Sequence, residues 1–433
     1  MSEETHEIQG INWRQRFLFQ EIPRSFRMAI HPTKLLLCLL ALLATAWGAW
    51  VVDQIPGVGQ TNVAVIGAVD LDLDGRISLW DNLNHVLTKT LWGTWALPYV
   101  GEKNWDDFFT FLMTPVSAAK ELVLLAVAYW EETPWFALVN TIIGLGIWAF
   151  IGGAVTRMAA VRIAREENLP LKRALAFSCR KWPSIVSSPL IPFGVLVLVA
   201  LGIGLVTGFA LMIPYAGEVV VSILFGLTLL MGLVMALIFV GGAFSVGLQW
   251  PTIAAEGSDA FDAISRSVAY ISSRPWRYLF YTVFSAVYGC LTFIFVKFVA
   301  FLTLRLTHEA VSTFTWNWNG AGDKLPRIWA VPTMADPWPA AGGEPWASTD
   351  VFATVVISIF VWIVLGFMVS YLISFFFSSQ TVIYFLLRKI VDATDMEEVY
   401  MEESEEEELP VGEKTEGPVG GGEAEARGPA ETT

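Results

Sequence analysis

The sequence predicts an all-α protein, a polytopic membrane helix bundle with six transmembrane helices, cytoplasmic interfacial helices and two long extracytoplasmic segments. Hydrophobic residues make up 55% of the 433 positions, charged residues make up 16%, and the mean hydropathy is +0.55. Soluble domains contain only about 45–50% apolar residues. The apolar excess is concentrated in long runs, and the Lys and Arg residues collect between alternate runs. These three observations together indicate a multi-pass membrane protein.

Each apolar run is long enough to cross a hydrocarbon core of about 30 Å, which takes roughly 17–25 helical residues. The first run starts well inside the chain and lacks a persuasive small-residue cleavage site, so it predicts a retained span and not a signal peptide. The last run is expected to continue toward Leu387. The six predicted spans are Leu35–Val52, Trp135–Val155, Pro189–Ile213, Val219–Gly247, Tyr278–Phe301 and Val351–Phe377.

The distribution of basic residues predicts the orientation of these spans. Lys and Arg collect before the first span, between the second and third, between the fourth and fifth, and after the sixth. The positive-inside rule places these four segments, and therefore both termini, in the cytoplasm. The segments at about 53–134 and 302–350 are comparatively poor in basic residues. They are predicted to face the opposite side of the membrane.

The chain accordingly divides into three regions. Residues 1–34 form a cytoplasmic amphipathic N-terminal segment, and residues 35–394 form the six-span membrane domain. Residues 395–433 are acidic, Gly-rich and Pro-containing, with almost nothing to bury. Segments of this composition do not bury enough apolar surface to fold, so this tail is predicted to be disordered in the cytoplasm.

A weak internal repeat marks the cytoplasmic side of the bundle. The stretches "SFRMAIHPTKLLL" at Ser25–Leu37 and "AYISSRPWRYLFY" at Ala269–Tyr281 share a helical segment, a His or Arg, a proline, a basic residue and a span. "LAFSCRKWPSIV" at Leu175–Val186 is a looser third copy. Proline fits the first turn of a helix and disfavours helix in the residue before it. Each copy therefore predicts an interfacial helix, a break and a new membrane helix.

The second copy also carries a family resemblance. "EGSDAFDAISRSVAYISSRPWRYLFY" at Glu256–Tyr281 resembles a loose group of uncharacterised bacterial six-span membrane proteins, which includes the membrane domain fused to some glycerophosphodiester phosphodiesterases. The resemblance covers about residues 162–281 and, more weakly, the ends. It implies a protein of the bacterial inner (cytoplasmic) membrane. It carries no catalytic residues, and this sequence contains no segment like the phosphodiesterase domain, so that activity is not implied.

One stretch of the first outer segment predicts a calcium site. "VDLDLDGRISLWDNL", at Val69–Leu83, alternates carboxylates and then bends at a glycine, as a calcium-binding loop of the EF-hand type does. An Asp at the last position is similar to the calcium loops of dockerin modules. The alternative is a plain acidic hairpin, because the alternation and the Asp-Gly pair are also typical of a turn between two strands. If calcium binds, it is expected to be structural, with ligands from Asp70, Asp72, Asp74, the carbonyl of Arg76, Ser78 and Asp81.

Polar residues are rare within the spans, and two groups of them are candidate functional residues. Lys297 lies twenty residues after Arg277, about 30 Å along a helix, which predicts a side chain that snorkels to the outer boundary. The quartet Ser378, Ser379, Gln380 and Thr381 lies in the sixth helix before its basic end. It is expected to make helix-to-helix hydrogen bonds, with the lining of a cavity as the alternative.

No motif of an enzyme is present in the sequence. The four histidines are scattered, and there is no zinc motif, nucleophile elbow or Walker loop. The net charge of -14 lies largely in the tail and the first outer segment, and without a basic patch the chain is not expected to bind nucleic acid. The lipid bilayer is its expected partner.

Three functions remain open from the sequence. The leading interpretation is a non-enzymatic protein with a scaffold, assembly or envelope-organising role, whose outer segments or acidic tail bind protein partners. The alternative is a transporter or lipid-handling protein with a cavity between its helices. The third is an enzyme with an unrecognised lipid-facing site. A cavity that reaches Gln380 would favour transport, whereas tightly packed spans under an ordered outer cap would favour the scaffold.

Overall fold

A computed structural model describes residues 18–55, 82, 85–92, 112–314, 325–334, 336–337 and 348–401. Helices account for all the regular structure in these ranges, which contain no strand. The chain divides into two units, 1–399 and 400–433, and only Tyr400 and Met401 of the second are described. The candidate calcium loop, residues 70–81, and most of the acidic tail lie outside the described residues. The calcium site and the disorder of the tail therefore stay predictions.

Nine principal helices are present within the described ranges, together with short helical segments at Leu18–Glu21, Val86–Trp92 and Leu325–Ile328. We number them α1 Arg24–Ala29, α2 Pro32–Asp53, α3 Thr114–Glu132, α4 Pro134–Arg165, α5 Leu171–Leu211, α6 Ala216–Glu256, α7 Ala260–Ser273, α8 Pro275–Phe314 and α9 Ser348–Val391. Six of them, α2, α4, α5, α6, α8 and α9, are long and apolar enough to cross a membrane. The predicted all-α, six-span, multi-pass architecture is confirmed.

The predicted helix breaks occur at two of the three repeat copies. Pro32 begins α2 shortly after the end of α1, and Pro275 begins α8 shortly after the end of α7. The prediction is wrong for the third copy, because α5 continues through Pro183. Tertiary hydrogen bonds hold the helix in line beside this proline. Lys181 Nζ donates to the carbonyl of Gly257, and Trp182 Nε1 donates to the carbonyl of Gly146 at 3.0 Å.

Helix α9 is central to the bundle. It packs against α1, α2, α4, α6 and α8. Residues 382–387, near its basic end, are all buried, so this part of α9 is covered on every side. By contrast, the most apolar stretches of α5 and α6 contain no buried residue, and side chains such as Leu198 and Ile223 are 70% and 75% exposed. The bundle therefore packs densely at its basic end and presents apolar helix faces to the bilayer elsewhere.

Helix α3 is an element that the sequence analysis missed. It lies within the segment 53–134, which we treated as one outer region. Its apolar run is interrupted by Lys120 and Glu121 and ends at Glu131, so it does not have the pattern of a span. Thr133 alone separates α3 from α4, and the rings of Tyr129 and Phe136 pack 5.2 Å apart across this junction.

Candidate functional site

The first wall of the candidate site is the turn between α1 and α2. Helix α1 is fixed to the bundle because the hydroxyl of Ser374 on α9 donates to the carbonyl of Ala29 at 2.9 Å. His31 then leaves the helical conformation, with φ −58° and ψ 125°, and Pro32 starts α2. This turn places the arginines of α1 beside His31 and beside Lys34 in the first turn of α2.

The opposite wall is the end of α4. This helix ends because Glu166 adopts the left-handed conformation, with φ 58° and ψ 12°, which reverses the chain. Arg162, in the last turn of α4, donates from NH1 to Oδ1 of Asn168 at 2.9 Å. The reversed chain therefore holds the guanidinium of Arg162 at the mouth of the site.

Between these walls lies a cleft of about 250 Å³, which we call the basic cleft. It lies at the end of α2 and α4 where the basic residues collect. Its lining includes three arginines and one lysine, against two carboxylates. The lining residues are Glu21, Arg24, Arg27, Met28, His31, Lys34, Met158, Arg162, Ile163, Glu166, Asn168, Leu169, Val382 and Met396.

The two carboxylates of the basic cleft lie beside one arginine. Oε2 of Glu21 is 2.8 Å from Nε of Arg24, and Oε1 of Glu166 is 3.9 Å from NH1 of Arg24. Arg27, Lys34 and Arg162 form no ion pair with any carboxylate in the part of the chain that the structure describes. The cleft therefore has an excess of positive charge that its own carboxylates do not neutralise.

Lys34 is the most buried of these basic residues, with 4% of its surface exposed. Its Nζ donates to the hydroxyl of Ser378 on α9 at 3.4 Å, a long bond to a neutral partner. Removing an ammonium from water is costly unless a nearby anion compensates it. A negatively charged group in the basic cleft would supply that compensation.

His31 responds to the same electrostatic environment. Burial, followed by the positive charges of Lys34 and Arg162, lowers the pKa of the His31 imidazole from its ordinary value of 6.5. The ring is therefore neutral at pH 7 when the cleft holds no anion, and a neutral imidazole still donates one hydrogen bond.

The structure places only one member of the predicted polar quartet beside the basic cleft. Ser378 contacts Lys34, whereas Ser379 and Thr381 donate to the carbonyls of Phe376 and Phe377 on their own helix, at 3.0 and 2.6 Å. Gln380 is absent from the cleft lining. It is 8% exposed and packs so closely on Gly247 that a Cβ there would lie 2.9 Å from its side-chain oxygen.

Lys297 does not behave as the sequence indicated. It is 1% exposed, and Phe293 and Ala300 on the same face of α8 are also buried. The interpretation of Lys297 as a snorkelling residue is therefore wrong. The reason is the length of α8, which continues to Phe314, about 25 Å beyond Lys297 at 1.5 Å per residue. Lys297 thus lies inside the bundle, well before the outer end of its helix.

A second cleft, also of about 250 Å³, lies between α2, α3 and α4. Two of its polar side chains bond to their own helices. Thr45 donates to the carbonyl of Ala41 at 2.8 Å, and Asn140 donates to the carbonyl of Phe136 at 3.1 Å. Most of its lining is apolar, and it contains no charged side chain. Among the residues that the structure describes, no group of His, Cys, Asp and Glu is arranged to hold a metal ion.

Sequence reasoning missed the basic cleft because it used these basic residues only to orient the spans. Their separation along the chain hides the site, although the basic residues flanking the His-Pro break are a visible signal. Comparison with models of known families, with curated proteins and with solved structures gives no match to this chain. The resemblance to the six-span group stays a prediction, and the function has to be inferred from the site itself.

Proposed function

We propose that this protein is a lipid-handling membrane protein, and that the basic cleft holds the anionic headgroup of a membrane lipid. The observation that carries the proposal is the buried ammonium of Lys34, which shares its cleft with Arg27 and Arg162 and, among the described residues, has only the hydroxyl of Ser378 as a hydrogen-bond partner. An anionic headgroup would neutralise this charge. The proposal takes up the lipid-handling part of the alternative function from the sequence. The basic cleft does not reach Gln380, so transport is not proposed.

The position of the cleft supports a lipid ligand. It lies where the apolar stretch of α2 begins and that of α4 ends, which is the level of the headgroups. Basic pockets between transmembrane helices on the cytoplasmic side bind anionic headgroups. By the positive-inside rule this end of the bundle faces the cytoplasm. The ligand would then come from the cytoplasmic leaflet of the bacterial inner membrane.

A scaffold role has one specific observation in its favour. At the other end of the bundle, Trp92 Nε1 donates to the carbonyl of Thr333 at 3.1 Å, and the rings of His308 and Trp329 pack 5.0 Å apart. The first contact ties together the two outer segments, and the second joins α8 to the segment after it, so the described residues here form a small cap. Such a cap would suit a protein that presents a fixed outer surface to a partner.

Lipid retention tests the leading proposal. We would purify the full-length protein in nanodiscs of phosphatidylcholine with a minor fraction of anionic lipid, and count the retained lipids by native mass spectrometry. Each Lys or Arg near a headgroup contributes about 1 kcal/mol, or roughly fivefold in affinity. The double variant Arg27→Gln, Arg162→Gln is therefore expected to bind anionic lipid with roughly 25-fold lower affinity.

Lys172→Gln is the matched control, because Lys172 is exposed on the same side of the bundle and is absent from the cleft lining. It is expected to retain anionic lipid as the wild type does. Equal retention by the wild type and the double variant would refute the proposed function.

A further inference from the structure

We infer that the group bound in the basic cleft is a phosphomonoester, a phosphate that ends a headgroup, in preference to a phosphodiester. This inference rests on the proposed function and specifies the ligand class of the same site. Three features of the cleft carry it: its charge, its hydrogen-bond donors and the depth of Lys34.

The charge of the cleft matches a dianion better than a monoanion. Both lining carboxylates lie beside Arg24, so Arg27, Lys34 and Arg162 are left without an anionic partner among the described residues. Four basic side chains against two carboxylates give the lining an excess of two positive charges, and a phosphodiester, with a single negative charge, would leave one of them uncompensated. A phosphomonoester carries about −1.5 to −2 charges at pH 7. A headgroup with its own ammonium would add positive charge to a site that already has too much.

The hydrogen-bond donors of the basic cleft also match a phosphomonoester. Lys34 has three N–H donors and uses one on Ser378, while Arg162 donates from NH1 to Asn168. The side chain of Arg27 makes no hydrogen bond within the described part of the chain, and guanidinium groups bind phosphate through two parallel bonds. A phosphomonoester offers three strongly accepting oxygens, whereas esterification in a diester leaves two. The cleft therefore has enough donors for every oxygen of a terminal phosphate.

The depth of Lys34 gives the geometric reason for the preference. This buried lysine contacts α9, so its ammonium lies at the floor of the cleft, while Arg27 is exposed at the rim. A terminal phosphate can descend to Lys34 because nothing follows it. In a phosphodiester, the outer substituent would lie between the phosphate and this floor. The cleft, at about 250 Å³, would have to hold that substituent against Lys34.

The test compares two lipids that differ in this one feature. Full-length protein would be placed in phosphatidylcholine nanodiscs with equal minor fractions of phosphatidic acid, a monoester, and phosphatidylglycerol, a diester, and the bound lipids would be counted by native mass spectrometry. We expect the protein to retain roughly tenfold more phosphatidic acid than phosphatidylglycerol, because the additional negative charge of phosphatidic acid would lie near three basic residues. Lys34→Met is expected to abolish the preference and leave weak retention of both lipids.

The variants keep the inference testable even if Lys34→Met fails to fold. Arg27→Gln alters an exposed residue of α1 and is expected to reduce the preference for phosphatidic acid, whereas Lys172→Gln leaves it unchanged. Equal retention of the two anionic lipids by the wild type would overturn the inference and leave the proposed function standing. Retention of neither would overturn both.

A soluble phosphate ester carries the same terminal phosphate as phosphatidic acid. A separate competition experiment therefore tests whether the bound phosphate belongs to a lipid or to a soluble molecule. Glycerol 3-phosphate and inorganic phosphate would be added as competitors of phosphatidic acid. Failure of both to displace the lipid supports a membrane ligand. Displacement at equal concentration would keep the phosphomonoester site and overturn its assignment to a lipid.

Discussion

His31 and Lys34 lie three residues apart at the turn into α2, and the positive charge of Lys34 disfavours a positive charge on His31. Burial is the larger cause of the lowered pKa of His31, and the charges of Lys34 and Arg162 add to it. The charged groups that surround His31 in the cleft are Lys34 on α2, Arg162 on α4, and Glu21, Arg24, Arg27 and Glu166 at the rim. Because both carboxylates lie beside Arg24, a bound anion is the group that would offset the positive charges around His31.

The lowered pKa of His31 makes the stability of the empty protein depend on pH. Between pH 6.5 and the lower pKa of the folded state, the unfolded chain binds more protons than the folded one, so stability falls as the pH is lowered through this window. Above about pH 7.5 both states are neutral at this residue and the effect is absent. Thermal unfolding of His31→Gln should show less dependence on pH than the wild type. If the Tm of the two proteins changed with pH in the same way, the assignment of this pH dependence to His31 would be wrong.

At the level of single helices, one carboxylate joins the ends of three elements. Glu256, the last residue of α6, accepts a hydrogen bond from Tyr384 on α9 and lies 2.7 Å from NH1 of Arg266 on α7. Arg388, also on α9, lies 3.6 Å from the same carboxylate, which is only 9% exposed. Glu256 therefore fixes the basic end of α9 against its neighbours.

Replacing Glu256 should loosen this end of the bundle. Glu256→Gln removes the charge that compensates Arg388, whose side chain is 14% exposed, and leaves Tyr384 a weaker acceptor. Because the site is not fully buried, we expect a loss of about 2 kcal/mol, below the 3–5 kcal/mol typical of a broken buried pair. Asp262→Asn is the control, since Asp262 also pairs with Arg266 but is 43% exposed. It should cost under about 1 kcal/mol in the same denaturation assay.

Element boundaries show what the sequence does and does not predict. All six spans could be found because the bilayer sets the length of an apolar run. The extensions of α4 to Arg165 and of α6 to Glu256 could not be predicted, because tertiary contacts stabilise them beyond the apolar runs. One such contact is the hydrogen bond that Arg157 NH1 donates to the carbonyl of Ala254 at 2.7 Å. The basic cleft was equally hidden. It forms only when α1, α4 and α9 meet, and no local pattern joins Lys34 to Ser378.

At the scale of the whole bundle, the described residues combine a basic cluster and a fully buried stretch of α9 at the same end. Residues 382–387 of α9 are buried on all sides at the end where the basic residues collect. The apolar stretches of α5 and α6 face outward, because lipid tails are as apolar as the side chains and give little drive for these helices to pack. The proposed headgroup site thus lies beside the part of α9 that is buried on all sides.

The native cysteines provide a test of how this molecule lies in the membrane. Cys179 on α5 is exposed at the basic end, whereas Cys38 and Cys290 are buried. A membrane-impermeant maleimide should therefore label the wild type at Cys179 only, and only in inside-out vesicles if the basic end is cytoplasmic.

Ser312→Cys in a Cys179→Ser background places the thiol at the exposed end of α8. Three spans, α5, α6 and α8, separate the two positions, so the thiol introduced by Ser312→Cys should react only from the opposite side of the membrane. Labelling of both positions from the same side would refute the six-span arrangement, and labelling of Cys179 from outside would reverse the orientation of the basic cleft.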